Sequence, residues 1–374
     1  MQINETIKKI EKFAPLQIAW EKDNTGLQVG NVNNKITNIF LTVDLNMDIL
    51  NQALKLKCNF IISHHPIIFN PIKKINLAHD EKSLLIEKLI KNDITVYSAH
   101  TNLDFTKGGV SFELAKKLGL ENIEFLEKSN DNKFKLVTFV PKAFEEKVSE
   151  SLFAAGAGII GEYSKCSFRI DGHGTFLGSS NSNPRVGSKE VFEFCDELRL
   201  EVIVDSWNLN NVIQTLHEVH PYEKPAYDIY KLENENENAG FGAKGNLPSE
   251  LSVNQFLKYT AEKLNLKTFR YSIGKSKTIK KVAVCGGSGT ELLQKAIKNN
   301  SDAFITADIK YHSFQDAENK ILFIDAGHFE TEVFGLNSIK KVLQKEISDR
   351  NIKIIIHKGS TSPIKFFNKK GDIN

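Results

Sequence analysis

Residues 59–66 read Asn59-Phe60-Ile61-Ile62-Ser63-His64-His65-Pro66, a short apolar run that ends in two histidines. The length and composition of this run predict a buried β-strand. In open α/β sheets, ligands bind in the crevice outside the carboxyl ends of the strands. We therefore expect His64 and His65 at an edge of the sheet where a ligand binds, and imidazole is the commonest side chain that binds transition metals.

Two further predicted strands, at residues 94–99 and 321–326, also lead into metal-ligand side chains. These side chains are His100, Asp104, His328 and Glu332. Because the carboxyl ends of parallel strands share one edge, we expect them all to meet the first two histidines there. The set exceeds the four ligands of one closed site and predicts two divalent metals that share a water molecule.

Each of these signals also has a structural alternative. Adjacent residues of an extended segment point to opposite sides, so His64 and His65 suit two different metals, but they also suit ordinary loop histidines. His328 and Glu332 are four residues apart and share one face of a helix, as surface pairs also do. Asp104 precedes two glycines and also suits a turn that leads into a helix. Their shared position at strand ends favours the metal site.

The pattern around these strands predicts the fold class. Predicted strands and helices alternate from residue 39 to about residue 120, and again from residue 280 onward, which is typical of an α/β fold with a mostly parallel sheet. Residues 39–65 align with residues 282–308 without a gap, and Ala99 aligns with Ala326 in a second alignment. We interpret the two blocks as duplicated α/β halves that form one core domain with a mixed or parallel sheet.

The residues between the halves differ in texture and predict a separate insert. Strand–helix–strand patterns occur twice there, as in ferredoxin-like α+β folds. A polar run of glutamates and asparagines at residues 232–239 marks the end of the insert. The predicted domains are residues 1–128 for the first half of the core, 129–239 for the insert and 240–374 for the second half.

Composition and charge exclude several classes of protein. The 374 residues carry a formal net charge of +3, and no basic block indicates binding to nucleic acid. The four cysteines are widely separated, which predicts reduced thiols and no disulfide framework. No apolar run approaches the ~18 residues of a membrane span, and the N-terminus lacks the apolar core of a signal peptide. We expect no membrane partner and a cytoplasmic location.

Two further segments are candidates for binding an anionic substrate group. Gly286, Gly287, Ser288 and Gly289 lie between a predicted strand and helix, where a glycine-rich backbone binds anions well. The complete dinucleotide and phosphate-loop motifs are absent, so a tight turn is an equal alternative.

A second polar segment follows the predicted strand at residues 303–306. Asp308 suits the cap of the next helix as well as a site role. Lys310 and His312 are candidates for substrate contact or proton transfer. His100 is expected to support a metal ligand from behind, as carboxylate and imidazole partners of ligands do.

At these residues the chain resembles the GTP cyclohydrolase 1 type 2 homologue family, also called the NIF-three-like family. The matching segments span nearly the whole chain in one order. They are Trp20 with Asp23-Asn24-Thr25-Gly26-Leu27-Gln28-Val29-Gly30, Ser63-His64-His65-Pro66, Ser98-Ala99-His100-Thr101-Asn102-Leu103-Asp104, Gly286-Gly287-Ser288-Gly289, Asp308-Ile309-Lys310-Tyr311-His312 and Asp325-Ala326-Gly327-His328-Phe329-Glu330-Thr331-Glu332. The insert, with His220-Pro221-Tyr222-Glu223, is similar to the PII-like and CutA-like domain of longer family members.

The resemblance implies a two-metal site, built from the residues that match His64, His65, Asp104, His328 and Glu332, with Asp104 or Glu332 as the bridging carboxylate. It also implies a homohexameric ring whose metal sites face an internal cavity. Imidazole and carboxylate ligands suit zinc, iron, manganese, cobalt or nickel.

The function that we expect is metal-dependent hydrolysis of GTP or another nucleotide-like small molecule by a metal-activated water. His312 or His100 is expected to assist proton transfer, and Lys310 or the glycine segment to hold an anionic group. One alternative is a two-metal phosphatase or phosphodiesterase. A second, non-enzymatic alternative is a metal-responsive scaffold or regulatory protein whose insert senses a small ligand.

Overall fold

A computed structural model describes residues 1–130, 133–184, 187–368 and 371–373 of the chain. Residues Met1–Lys128 and Asn238–Asn374 form one compact unit, and Ser129–Glu237 form a second. Within these described residues, none of the helices combines the length and hydrophobicity that crossing a bilayer requires. The chain contains both parallel and antiparallel strand pairs, so the predicted mixed α/β class is confirmed.

The strands are β1 (Gly26–Val29), β2 (Ile39–Thr42), β3 (Phe60–Ser63), β4 (Thr95–Ser98), β5 (Glu121–Lys128), β6 (Lys133–Pro141), β7 (Ser167–Leu177), β8 (Phe192–Asp205), β9 (Tyr227–Lys231), β10 (Gly240–Ser252), β11 (Arg270–Ser272), β12 (Thr278–Ser288), β13 (Ala303–Ala307), β14 (Leu322–Asp325), β15 (Ile354–Ile356), β16 (Phe366–Asn368) and β17 (Gly371–Ile373). The α-helices are α1 (Ile3–Phe13), α2 (Met47–Lys55), α3 (Glu81–Lys91), α4 (Thr101–Asp104), α5 (Val110–Lys117), α6 (Glu145–Ala154), α7 (Ser206–Val219), α8 (Val253–Leu264), α9 (Leu293–Lys298), α10 (Tyr311–Ala317), α11 (His328–Glu332) and α12 (Leu336–Glu346).

The first unit contains two larger sheets that share a central arrangement. One has the order β1-β4-β3-β2-β15 and the other has the order β11-β14-β13-β12-β10-β5. In each sheet, three consecutive parallel strands (β2, β3 and β4, or β12, β13 and β14) have an antiparallel strand, β1 or β11, beside the last of the three. The opposite edges differ, because the parallel strand β15 pairs with β2, whereas the antiparallel strands β10 and β5 follow β12. The common order of the three parallel strands is what the alignment of residues 39–65 with 282–308 predicts for a duplicated half.

Burial explains why the central strands are short and apolar. Every residue of β2, β3, β4 and β14 is buried, as is typical of parallel strands that are covered on both faces. Helix α2 begins after Asn46, whose side chain accepts a hydrogen bond from the backbone N–H of Ile49. The central parallel strands all end at the same edge of their sheet. The residues that follow these ends can therefore provide functional side chains there.

One long predicted helix is wrong in detail. The sequence pattern of residues 329–345 predicts a single helix, but α11 and α12 are separated by a 3-10 turn at Val333–Gly335. Gly335 packs tightly against Val110 of α5, where a Cβ would lie only 2.6 Å from a Val110 methyl carbon. At this close approach the chain changes direction between α11 and α12, and α11 remains a short helix beside the strand ends.

The second unit has a ferredoxin-like fold, as predicted. Its sheet has the order β7-β8-β6-β9, and its elements follow the order β6-α6-β7-β8-α7-β9. Both helices pack on one face of the sheet, over Leu136, Leu200 and Val202. The sequence did not predict β7, because its glycine-rich and largely exposed residues lack a buried apolar face.

Candidate metal centre

The five predicted metal ligands meet at the carboxyl ends of β3, β4 and β14. His64 and His65 follow β3 directly, Asp104 ends the short helix after β4, and His328 and Glu332 are the first and last residues of α11. The two sheets therefore both contribute side chains to one cluster. This is the position where α/β sheets bind ligands.

Glu332 lies between the imidazoles of three histidines. Its Oε1 is 3.0 Å from His328 Nε2 and 3.6 Å from His64 Nε2. Its Oε2 is 3.0 Å from His65 Nε2. Because Glu332 contacts ligand nitrogens from both halves of the unit, it is the residue best placed to join two ligand groups.

Three polar atoms of the cluster, His64 Nε2, Asp104 Oδ1 and Glu332 Oε2, are buried without a hydrogen-bond partner among the described residues. The 3.6 Å between His64 Nε2 and Asp104 Oδ1 is too long for a hydrogen bond. An unsatisfied buried polar group costs about 1–3 kcal/mol. A cation bound between these atoms removes that cost, so the donor set fits a divalent metal.

Two groups of three side chains bring ligand atoms within 4.8 Å of one another. The groups are His64, His65 and His100, and His65, His328 and Glu332. They share His65, whose ring centroid is 5.1 Å from that of His64 and 5.2 Å from that of His328. A cluster of histidines with a glutamate that can hold a metal ion is thus present in the first unit.

The second nitrogen of each imidazole is held by an oxygen acceptor. These Nδ1–acceptor contacts are His64 to Ala99 O at 2.7 Å, His65 to Asp44 Oδ1 at 2.6 Å, His100 to Asp23 Oδ1 at 2.9 Å and His328 to Asp308 Oδ2 at 2.6 Å. A proton fixed on Nδ1 leaves Nε2 as the ligand atom and sets the plane of the ring. All four rings are therefore oriented as metal-binding histidines are.

The orienting carboxylates were largely missed from the sequence. Asp44 lies just beyond β2, at the same edge as the ligands, and its other oxygen accepts a hydrogen bond from Thr361 Oγ1 at 2.5 Å. Asp23 lies in the segment before β1 and also accepts hydrogen bonds from Thr101. The one sequence signal for Asp44 as a site residue is its position just after a buried strand.

Asp308 has a role other than the helix cap considered for it. It has a left-handed backbone conformation, with φ of 55°, and its carboxylate binds His328. Lys310 precedes α10 instead, without a side-chain cap. Of the two roles that the sequence leaves open for Asp308, the structure shows the contact with a predicted metal ligand and not the side-chain cap.

The carboxylates raise the affinity of the cluster for positive charge. Burial lowers the pKa of His65 and His328, but Glu332 together with Asp44 and Asp308 outweighs it and raises these pKa values to about 10 and about 9. Burial raises the pKa of Glu332, but the neighbouring histidines outweigh it and hold that pKa well below its usual range. A divalent cation competes with protons for this same negative field.

Asp104 is affected differently. Burial raises the pKa of Asp104 to about 6, although the charge of His64 opposes the shift. A carboxylate in such a position gains from a bound cation more than an exposed one does, because the cation offsets the cost of burial.

The predicted glycine segment lies directly beneath this cluster. Gly286, Gly287 and Ser288 are the last residues of β12, and Gly289 precedes a 3-10 turn. A Cβ at Gly287 would lie 2.2 Å from Glu332 Oε1, and the backbone there has φ of +60°. Gly287 thus makes room for Glu332.

Two of the predicted catalytic residues lie apart from the ligands. His312 is exposed, and its Nδ1 lies 3.0 Å from Gln315 Oε1. Lys310 is also exposed. In the described parts of the chain, no hydrogen bond or ion pair joins either residue to the five predicted ligands. His100, in contrast, lies against the cluster, with its ring centroid 5.3 Å from that of His64.

A cleft of about 730 Å³ opens beside His328 in the first unit. Its lining includes the basic residues Lys267, Arg270 and Lys365 and the aromatic residues Phe269, Phe329, Phe334 and Phe366. Arg270 pairs with Asp325. The cleft has the volume of a small-molecule site.

Comparison with known proteins identifies the family. The family described as Duf34/NIF3 (NGG1p interacting factor 3) matches residues 1–363 of the chain. The chain belongs to this family. A NIF3-family protein of Bacillus cereus has a solved structure with a TM-score of 0.83 and 34% sequence identity, covering 98% of this chain and 99% of that one.

Sequence relatives of this NIF3-family chain carry one common name. A protein of Halalkalibacterium halodurans named GTP cyclohydrolase 1 type 2 homolog is 36% identical over 364 residues, which is 96% of this chain and 97% of the relative. A Bacillus subtilis protein of the same name is 35% identical over 364 residues, with the same coverage. The family predicted from the sequence motifs is confirmed.

Proposed function

We propose that this chain is a metal-dependent hydrolase that activates water at the cluster of His64, His65, Asp104, His328 and Glu332. The observation that carries the proposal is the pair of buried atoms without a partner, His64 Nε2 and Asp104 Oδ1. A fold does not leave two such atoms facing each other without cost. A bound cation accounts for both.

A bound divalent metal supplies Lewis acidity and makes water a nucleophile near neutral pH. The chain's own residues do the rest. Asp44 and Asp308 hold the protons on Nδ1 of His65 and His328, so that Nε2 of each ring is the ligand atom. His100, held by Asp23 through Nδ1, is the residue that we propose to accept or return a proton at Nε2, and His312 is a more distant candidate.

Two metal ions per chain are proposed, because five ligands exceed the four of one closed site and Glu332 contacts the histidines of both halves. Zinc, iron, manganese, cobalt and nickel all suit imidazole and carboxylate ligands, and availability decides among them. The hexameric ring implied by the resemblance and the cytoplasmic location expected from the composition stay predictions.

For the substrate we propose a nucleotide-like small molecule, with GTP as the first compound to test. The basic and aromatic lining of the cleft beside His328 supports an anion that carries a ring. Lys310 and the segment from Gly286 to Gly289 remain proposed contacts of an anionic group. A two-metal phosphatase or phosphodiesterase fits the same features, and the reaction products distinguish it.

Turnover by the metal-loaded protein tests the proposal. Untagged protein is loaded separately with each metal and given GTP, other nucleotides and a phosphodiester. We expect hydrolysis of at least one compound, lost in Asp104→Asn and retained in Asp48→Asn, which changes an exposed acid of α2 outside the ligand set and outside the cleft. Hydrolysis that persists in Asp104→Asn would contradict the assignment of the reaction to this cluster. No hydrolysis with any metal and compound would leave a non-enzymatic, metal-responsive scaffold as the better account.

A further inference from the structure

The second unit contains a cavity of about 680 Å³ on its sheet. Successive residues of a strand face opposite sides. Leu198 and Leu200 of β8 are buried on the side of the sheet that α6 and α7 cover, so Glu197 and Arg199 face the other side and line the cavity. The cavity is therefore built on the face of the sheet opposite the helices, and its volume is typical of a small-molecule site.

Glu197 is a buried carboxylate in the wall of this cavity. It is only 8% exposed, and its Oε1 accepts a hydrogen bond from the Tyr222 hydroxyl at 2.7 Å. Among the described residues, no Lys, Arg or His forms an ion pair with Glu197, and no hydrogen bond reaches its Oε2. Burying a carboxyl group whose second oxygen has no hydrogen-bond partner is costly. A ligand that pairs with Oε2 would offset this cost.

Tyr222 does not supply the missing positive charge. Burial and its hydrogen bonds to Cys195 and Glu197 raise the pKa of the Tyr222 hydroxyl well above its usual range. The phenol therefore stays neutral and acts as a donor to Glu197. Its ring centroid lies 6.1 Å from that of Phe176, so the carboxylate sits beside two aromatic side chains that also line the cavity.

Two glycines of β7 give the carboxylate its space. Gly172 pairs with Glu197 in the register of the sheet, and Gly174 pairs with Cys195. A Cβ at Gly174 would lie 2.1 Å from Glu197 Oε2, whereas a Cβ at Gly172 would meet no atom within 4 Å. The absence of a side chain at Gly174 makes room for the Glu197 carboxylate, and the absence of one at Gly172 leaves open space beside it.

The other charged residues of the lining are engaged or lie at the rim. Arg199 Nε donates to Glu201 Oε1 at 2.9 Å, and His173 Nδ1 lies 2.7 Å from Asp196 Oδ1. Asp171 pairs with Lys142 at 3.2 Å. Glu223 accepts a hydrogen bond from a backbone N–H, and Lys224 is exposed. The one buried charge in the wall of the cavity is negative.

We propose that this cavity binds an organic cation, a compound with a primary ammonium group on an apolar, ring-bearing body. The ammonium group pairs with Glu197 Oε2, and the body lies over Gly172 against Phe176 and Tyr222. A cation beside aromatic rings gains further attraction from their negative faces. This site goes beyond the proposed hydrolase activity, because every residue that forms it belongs to the second unit.

Isothermal titration of the full-length protein with 2-phenylethylamine at pH 7 tests the site. The matched control ligand is 3-phenylpropionate, which has a similar body and the opposite charge. We expect saturable binding of the amine and none of the acid. Glu197→Gln is expected to weaken amine binding at least about tenfold, since charged hydrogen bonds contribute about 1.5–3 kcal/mol. Glu218→Gln, which changes an exposed acid of α7 outside the cavity lining, is expected to bind as the parent does.

A second variant keeps the test valid if Glu197→Gln is unstable. Gly172→Leu leaves Glu197 in place and fills the open space beside it, so it is expected to abolish amine binding with an unchanged melting temperature and metal content. Equal binding of the acid, undiminished binding in either variant, or no amine binding by the folded parent would overturn the proposal. None of these outcomes depends on hydrolysis by the metal centre.

Discussion

The two halves of the first unit share a backbone arrangement and divide the chemistry between them. The alignment that places residues 39–65 on 282–308 sets His65 opposite Asp308 and Asp44 opposite Gly287. In the first half Asp44 orients the ligand His65, whereas in the second half Asp308 orients the ligand His328. Gly287, where the first half has its orienting acid, leaves space for Glu332.

This difference shows that equivalent strand ends in the two halves lie at the same place in the fold but carry side chains with different functions. Each half supplies a predicted metal ligand held by a carboxylate of the same half, His65 by Asp44 and His328 by Asp308, but the two halves use different strand ends to do so. Glu332 then contacts the histidines of both. Substitutions in either half should show how much each half contributes to metal binding.

The largest effect is expected from Glu332→Ala, which removes the contact between the halves. Metal affinity should fall by more than about 100-fold, because the change deletes a ligand whose loss exceeds that of an orienting partner. Metal content after dialysis measures it, with Glu330→Ala as the control from the same helix. Metal retained by Glu332→Ala would show that the two halves bind metal independently.

The pH dependence of metal affinity should report one histidine from each half. His65 and His328, with pKa values of about 10 and about 9, carry protons at neutral pH, and metal binding must displace them. Affinity is therefore expected to rise with pH and to level off above these values, with release of about two protons at pH 7. Competition with a chelator from pH 6 to 9 measures the slope. An affinity independent of pH would contradict the assignment.

The two orienting carboxylates should be of similar importance. Asp44→Asn and Asp308→Asn each keep an acceptor oxygen but lose the charge that supports the imidazole. Each is expected to weaken metal binding by about 10–100-fold, as loss of such partners typically does. A large effect in one variant and none in the other would break the equivalence of the two halves.

The smallest effect is expected from Gly287→Ala, which tests the special role of that position. The added Cβ pushes against Glu332 Oε1, and the positive φ costs about 1–2 kcal/mol of stability. Gly119→Ala, at φ of +68°, controls for backbone strain away from the cluster. We expect a similar loss of melting temperature in both variants and about tenfold weaker metal binding in Gly287→Ala alone. Equal metal affinity in both would remove Gly287 from the site.

The sequence predicted those parts of the fold that depend on local patterns. The apolar runs that became β3, β4 and β14 end within a residue or two of the predicted positions, and the metal-ligand side chains follow them as expected. Burial on both faces makes such strands recognisable without knowledge of their neighbours.

Features that depend on long-range pairing were not predicted. Strand β7 is defined by its hydrogen bonds to β8 and not by an apolar face, so its local sequence does not show where the strand lies. Asp23 and Asp44 became site residues only through contacts with histidines 77 and 21 positions away. Asp308 looked like a helix cap because its local sequence is that of a cap. No periodicity encodes such contacts.

Metal content per chain tests the central claim most directly. It is measured on untagged protein purified without chelator, for the parent, for the variant His64→Ala/His328→Ala and for the control His173→Ala in the second unit. The account predicts about two metal ions per chain in the parent and in the control, and none in the double variant. A parent without metal after incubation with zinc, manganese or iron, or a double variant that retains it, would contradict a metal centre built from both halves.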